Sequence, residues 1–389
     1  MMAISYACEV WKSGFNLKKR NVAAALLMTD SLNDRYNINV SRTKSSKHLR
    51  NRRSFEIFHT SFLQLFISSP FGPAMDADSF PKTLTEFGYV FNDKGQLRII
   101  DQVTKAAGDC PFEFEVDRDN NDYNQRRYEA LGEIINQHIY ELLETSGKLK
   151  KKFLKKKGCN ETSNEIESFI FVSDDVDTND KLIVLVHGSG VVRAGQWARR
   201  LIINDSLDTG TQLPFIEMAR QKGYAVIVTN TNDNHRIIDR KKKLIQGSEN
   251  PVNHLLSVWK QVIDGSPAKH IAFIAHSYGG VCTLDLASQV EKKFQDSVFA
   301  LAMTDSVHSM VHHETIAAGL QQFLCQIGRN WVSSGLPLDT PVGRPANDID
   351  RVSAGHTQHE MTSYCSMSSI FQFLEDKLQE KLQQQQNGQ

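Results

Sequence analysis

Residues 270–280 read His-Ile-Ala-Phe-Ile-Ala-His-Ser-Tyr-Gly-Gly. The apolar run is a strand buried on both faces, and it breaks at Ser277 into a segment that reads as helix from Val281 onward. Strand, serine and helix in that order are the sequence form of a nucleophile elbow, usually written G-x-S-x-G. Here the first glycine is alanine, giving Ala275-His276-Ser277-Tyr278-Gly279. The turn lifts the serine hydroxyl to the tip of the strand. It also brings strand and helix so close that the residues two before and two after must be small. Alanine adds one methyl and Gly279 adds nothing, so the turn stays feasible. The plainer reading is a strand-to-helix turn whose serine caps the helix.

The surrounding chain repeats the same alternation. Strands are expected at 168–172, 182–186, 225–229, 270–275, 298–303 and 351–353. Helices are expected near 193–203, 213–221, 253–263, 278–290, 313–326 and 367–382. The runs Leu-Ile-Val-Leu-Val at 182–186 and Ala-Val-Ile-Val at 225–228 are unbroken rather than alternating. Such strands are covered on both sides, which means a parallel sheet between helices. Right-handed crossovers then give an α/β fold with a doubly wound, mostly parallel sheet, whose ligands bind beyond the carboxyl ends of the strands.

Ahead of this core, Asp93-Lys94-Gly95 separates two short apolar runs and predicts a hairpin. Tyr128, Leu131, Ile135, Ile139 and Leu142 share one face of a helix over 124–144. These make 75–147 an N-terminal hairpin–helix extension packing on the core. Residues 1–74 show neither period and carry a basic stretch at 41–54. They read as a disordered leader, with a spurious or alternative first exon as the other reading. The run 148–157 holds seven lysines in ten positions. It opens a basic linker, 148–165, which is either a solvated connection or a nuclear-import or anion-binding patch. A weaker basic cluster lies at 239–243. The core then spans 166–382, and the polar tail 383–389 reads as disordered.

Composition excludes several classes. The 389 residues carry no net charge, with 40% hydrophobic and 23% charged residues, so no global field favours nucleic acid. The six cysteines are scattered without a C-x-x-C pair, which reads as reduced thiols of an intracellular protein. No secretory signal opens the chain, and no apolar run approaches the length of a membrane span.

Three features fall at carboxyl ends of expected strands. His187-Gly188-Ser189-Gly190 comes directly after 182–186. Its glycines let backbone amides approach a ligand, so Gly188, Ser189 and Gly190, with the Tyr278 amide, form the candidate oxyanion donors. A glycine-rich turn without a ligand is the plainer reading. Asp305, in Thr304-Asp305-Ser306-Val307-His308, suits the order Ser…Asp…His and would orient and stabilise an imidazolium; a turn or capping aspartate is the alternative. The segment 354–363 offers His356 and His359 as the general base. His359 is preferred, because Thr362-Ser363 and the helix beyond come soon after it. The candidate catalytic set is therefore Ser277, Asp305 and His359, with His356 and His308 as other bases. Asp305, His308, His312 and His313 form a rival constellation with one metal-like spacing, but no H-E-x-x-H pattern supports it. No cofactor or metal is expected.

The block Lys181-Leu-Ile-Val-Leu-Val-His-Gly-Ser-Gly-Val-Val-Arg-Ala-Gly-Gln-Trp-Ala-Arg-Arg-Leu-Ile-Ile-Asn204 is far more specific than the elbow alone. With Ala275-His-Ser-Tyr-Gly-Gly280, Leu301-Ala-Met-Thr-Asp-Ser-Val-His308, Arg351-Val-Ser-Ala-Gly355 and His359-Glu360, it resembles the Argonaute-binding (Arb-two) domain family. Within that family the likeness is to the animal cotranscriptional regulators, from about residue 75 to 378. The resemblance implies an α/β-hydrolase-like fold and a location in the nucleus, alone or shared with the cytoplasm. It implies Argonaute and chromatin or splicing factors as partners, and an influence on alternative splicing or small-RNA silencing. It also implies a serine hydrolase activity with Ser277 as nucleophile, and it places the last family histidine on His359 rather than His356. Residues 1–74 have no counterpart in it. The stretch 230–250 is shorter than the basic insert of close relatives, which leaves 148–157 as the better import candidate. The alternative function is an active intracellular serine esterase or acyl hydrolase using Ser277, Asp305 and His359.

Overall fold

In the computed structural model, which describes residues 80–155, 166–310 and 316–387, the chain opens with β1 (Tyr89–Phe91), β2 (Leu97–Ile100) and β3 (Ala107–Pro111). They pair antiparallel as a small sheet of their own. Helix α1 (Asn121–Thr145) comes next, its first turn capped by the Asn120 side chain accepting from the Tyr123 amide at 3.0 Å. Leu131, Ile135, Ile139 and Leu143, each four apart, are all fully buried, so one stripe of α1 faces the core. The leader and residues 156–165 lie outside the described residues.

The main sheet is built from β4 (Leu149–Leu154), β5 (Ser168–Ser173), β6 (Lys181–Val186), β7 (Ala225–Val228), β10 (His270–His276), β11 (Val298–Thr304), β12 (Gly328–Val332), β13 (Pro341–Val342) and β14 (Asp350–Ser353). Their spatial order is β13-β14-β12-β11-β10-β6-β7-β5-β4. The run from β7 through β6, β10, β11 and β12 to β14 is parallel throughout. Only the edges are antiparallel. This is the doubly wound, mostly parallel sheet of an α/β-hydrolase-like fold, with consecutive strands leaving β6 in both directions.

Both faces are covered. Along β10, Ala272 and Ile274 join one apolar layer, and Ile271, Phe273 and Ala275 join the other. The first layer includes the α1 stripe, Phe215 and Ile216 of α4 (Leu213–Gln221), and Ile370, Phe371 and Leu374 of α9 (Thr362–Asn387). The second includes Leu255 and Val258 of α5 (Pro251–Val258) and Cys282, Leu284 and Leu286 of α6 (Tyr278–Gln289). The remaining helices are α2 (Arg199–Asn204), α3 (Leu207–Gly210), α7 (Glu291–Ser297) and α8 (Ala318–Ile327).

Several expectations change. The lysine-rich run is not a linker over its described length. Leu149–Leu154 is β4, the edge strand, paired residue for residue with β5. Leu149 and Leu154 are buried, and the Lys151 ammonium sits 4.7 Å from the centre of the Phe169 ring. Lysines on an exposed edge also discourage pairing with another chain. The basic cluster at 239–243 belongs to a hairpin of β8 (His235–Ile238) and β9 (Lys241–Leu244), turned by Asp239 and Arg240, both at positive φ. The polar tail extends α9 to Asn387. The helix expected from 193 starts only at Arg199, and β3, β12 and β13 lie where no strand was expected. Among the described residues, no helix is long and apolar enough to cross a membrane.

Candidate active site

Ser277 joins β10 to α6 with φ 53° and ψ −121°. Positive φ is costly for a residue with a side chain. The amide of Ser277 donates to the Thr304 carbonyl at 2.9 Å, which ties the turn to the end of β11. A Cβ on Gly279 would stand 2.6 Å from the Val186 carbonyl oxygen and 2.7 Å from that of His187. Only glycine fits there, because α6 crosses directly over the end of β6. Ser277 takes the strained elbow conformation, and its side chain makes no capping hydrogen bond to the helix.

Parallel register carries β11 to the same level as β10, with His276 opposite Thr304 and Thr304 opposite Trp331 of β12. Asp305 is therefore the first residue beyond β11, beside the serine turn. Its amide donates to the Trp331 carbonyl at 2.8 Å, and its Oδ1 accepts from the Ser333 amide at 3.1 Å. Its Oδ2 accepts from Nδ1 of His359 at 2.8 Å. Burial pushes the Asp305 carboxyl up. The His359 hydrogen bond and charge, with the Ser333 bond, outweigh that and hold it below the usual carboxylate value. His359 opens a short 3-10 turn, His359–Met361, directly before α9. With Nδ1 committed to Asp305, Nε2 carries the lone pair a base requires.

The loop after β6 passes against the serine. A Cβ on Gly188 would lie 3.1 Å from the Ser277 Cβ. Nδ2 of Asn232 donates to the Gly188 carbonyl at 3.0 Å and to the Val192 carbonyl at 3.1 Å, pinning the loop from its outer side. Among the described residues, the amides of Gly188, Ser189 and Gly190 donate to no backbone carbonyl. The Tyr278 amide is in the first helical turn, where no intrahelical acceptor exists. These amides are the donors that an oxyanion site needs. Among the described residues no hydrogen bond joins Ser277 to His359; such contacts are often long before substrate arrives.

The other candidate histidines are engaged elsewhere. His308 is fully buried, with Nδ1 2.8 Å from the Ser306 hydroxyl and Nε2 3.2 Å from Asp348 Oδ1, close but off line for a hydrogen bond. Both ring nitrogens of His308 therefore face partners other than Ser277. His356 accepts the Gln358 amide on Nδ1 at 3.1 Å and serves its own turn. His312 and His313 lie outside the described residues, and among those described no group of three or more side chains could hold a metal ion.

Sequence reasoning passed over His276. Its ring is buried and packs obliquely against the His359 ring, with centroids 4.6 Å apart and planes tilted by 39°. Its Nδ1 lies 3.0 Å from the Thr304 hydroxyl and 3.3 Å from the Ser363 hydroxyl. Nothing in the local pattern distinguishes a histidine before the elbow serine from any other residue there.

Residues 80–338 match the family profile of the Arb2 domain. The chain belongs to the Arb2 domain family. A Xenopus tropicalis relative, "Cotranscriptional regulator ARB2A homolog", is 42% identical over 352 residues, covering 78% of this chain and 81% of its own. The human "Cotranscriptional regulator ARB2A" is 41% identical over 354 residues, covering 78% and 82%. The human "Putative protein ARB2BP" is 32% identical over 330 residues, covering 76% and 89%. Among solved structures, this Arb2 domain chain is similar to the histone deacetylase Clr3, with TM-score 0.41 and 19% identity over 64% of this chain and 39% of that one. It is also similar to Est1E from Butyrivibrio proteoclasticus, with TM-score 0.36 and 12% identity over 59% and 98%.

Proposed function

We propose that this chain is a cotranscriptional regulator that works in the nucleus with Argonaute and with chromatin or splicing proteins, influencing alternative splicing or small-RNA silencing. The observation that carries this reading is the identity of 41–42% to regulators named as such, over about four-fifths of each chain. Fold alone would not support it, since one architecture hosts many functions. The test is recovery of the full chain from nuclear extract. Argonaute and splicing or chromatin proteins are expected with it, in equal amount for the wild type and Ser277→Ala. Recovery of none of them discards the reading.

A second reading is favoured by the strained φ of Ser277 and the 2.8 Å bond between His359 and Asp305. In it the same site is a serine acyl hydrolase. The Ser277 oxygen attacks an ester carbonyl while its proton passes to Nε2 of His359. Asp305 stabilises the imidazolium, and amides from Gly188–Gly190 and Tyr278 hold the tetrahedral oxyanion. Collapse expels the alcohol with the proton from His359 and leaves an acyl ester on Ser277. Water, deprotonated by His359, attacks that ester; the C–O bond to Ser277 breaks, the carboxylic acid leaves, and His359 returns its proton to the serine oxygen. A fluorophosphonate probe decides the matter. Labelling of the wild type but not of Ser277→Ala is expected; a folded wild type that stays unlabelled removes the enzymatic reading and leaves the regulator.

A further inference from the structure

His359 is held by one strong bond, from its Nδ1 to Asp305. A single bond leaves the ring free to swing about the line joining the two groups, which would carry Nε2 away from Ser277. The ring is also partly open to solvent, with 38% of its side chain exposed. Something else must fix its plane.

We propose that His276 is a positioning residue for His359: its ring is a fixed plate that holds the plane of the base while Asp305 holds its edge. The inference rests on the hydrolase reading for its functional meaning, but not for its geometry. His276 ends β10, and its ring is buried. The hydroxyls of Thr304 and Ser363, 2.7 Å from one another, both reach its Nδ1. Trp197 meets it edge-on at 6.2 Å. Thr304 comes from β11 and Ser363 from the first turn of α9, so three elements fix one imidazole. That imidazole packs against the His359 ring, with centres 4.6 Å apart and planes tilted by 39°.

The plate must also be uncharged, because a second imidazolium would repel the one that forms on His359 during acyl transfer. The titratable groups that act on His276 are His359, Asp305 and His187. Burial first, and then the His359 charge, push its imidazole down to about 3, so it stays neutral at physiological pH. Thr304 and Ser363 thereby acquire a role that their place in the core does not announce.

The test compares His276→Phe with His276→Leu in the full chain. Both are apolar and near enough in volume for a buried site to accept. Phenylalanine keeps a ring face under His359 and leucine does not. The first readout is the low-field proton signal of the His359 Nδ1–H bonded to Asp305, identified by its loss in His359→Gln. The second is the rate of fluorophosphonate labelling at Ser277. His276→Phe should keep the signal and most of the labelling. His276→Leu should broaden the signal through exchange with water and slow labelling about 100-fold, as expected for a reacting group displaced by about 1 Å. Ser363→Ala, which barely alters core volume, should shorten the lifetime of the same proton even if a His276 variant fails to fold. Equal signals in the Phe and Leu variants, or no effect of Ser363→Ala, overturn the proposal. If the wild type is never labelled, the hydrolase reading falls while the proton signal still decides the positioning role.

Discussion

Nδ1 of His359 and Oδ2 of Asp305 lie 2.8 Å apart, although 54 positions separate them in the chain. Three strands, β12, β13 and β14, are laid down between the two residues. The pair closes because β11 and β14 both run parallel to β12, so the loops at their carboxyl ends emerge at the same rim of the sheet.

Asp305→Asn tests what that bond does. The amide keeps the shape but can donate to the ring, which reverses the tautomer and removes the lone pair from Nε2. Fluorophosphonate labelling of Ser277 should fall by about 10⁴-fold, with little change in the unfolding midpoint.

Ser277→Gly separates function from stability at the elbow. A backbone at φ 53° and ψ −121° costs a serine about 1–3 kcal/mol that a glycine does not incur. The variant should lose all labelling and yet resist urea at least as well as the wild type. The extra chain entropy of glycine offsets part of the gain.

Gly279→Ala goes the other way. The added methyl would meet two backbone carbonyl oxygens, at 2.6 and 2.7 Å, and neither can rotate aside. Moving α6 off β6 should cost about 1–3 kcal/mol, read as a lower urea midpoint, and should disturb Ser277 directly.

Acid should weaken the fold well before its carboxylates titrate. Burial, opposed in part by the bond to the Gly188 carbonyl, pushes His187 down to about 4 from an ordinary 6.5. Burial pushes His254 and His276 down to about 3. Between 6.5 and those values the unfolded chain binds a proton that the folded chain refuses. Stability is therefore complete above about pH 6.5 and is lost as pH falls, by about 1.4 kcal/mol per pH unit for each such histidine. Urea midpoints measured from pH 7.5 to 5 should fall steadily; a flat profile would show these rings to be protonated in the fold.

Much of this was legible in the residues. The unbroken apolar runs of β6, β7 and β10 announced a sheet covered on both faces, since no half-exposed strand tolerates them. The elbow, the glycine loop after β6 and the preference for His359 over His356 also came from local text. The edge strand β4 did not. Its lysines hid a strand because much of an edge strand faces water: only Leu149 and Leu154 at its two ends are buried, and Lys151 places its ammonium over Phe169. The strand β12, Gly-Arg-Asn-Trp-Val, was missed for a related reason: two polar residues interrupt a run that is nonetheless largely buried, with Asn330 bonded to the Ser306 backbone.

By itself the sequence determined most of the central strands and helices and where the chain must turn sharply, because both depend on side-chain size, polarity and spacing within a few residues. Tertiary structure alone decided which acid meets which imidazole. Asp305 went to His359 and Asp348 to His308, and His276 packs against the His359 ring. Those partnerships depend on register across the parallel pairings that join β10, β11, β12 and β14, and a shift of one residue in any of them would turn the side chains to the opposite face.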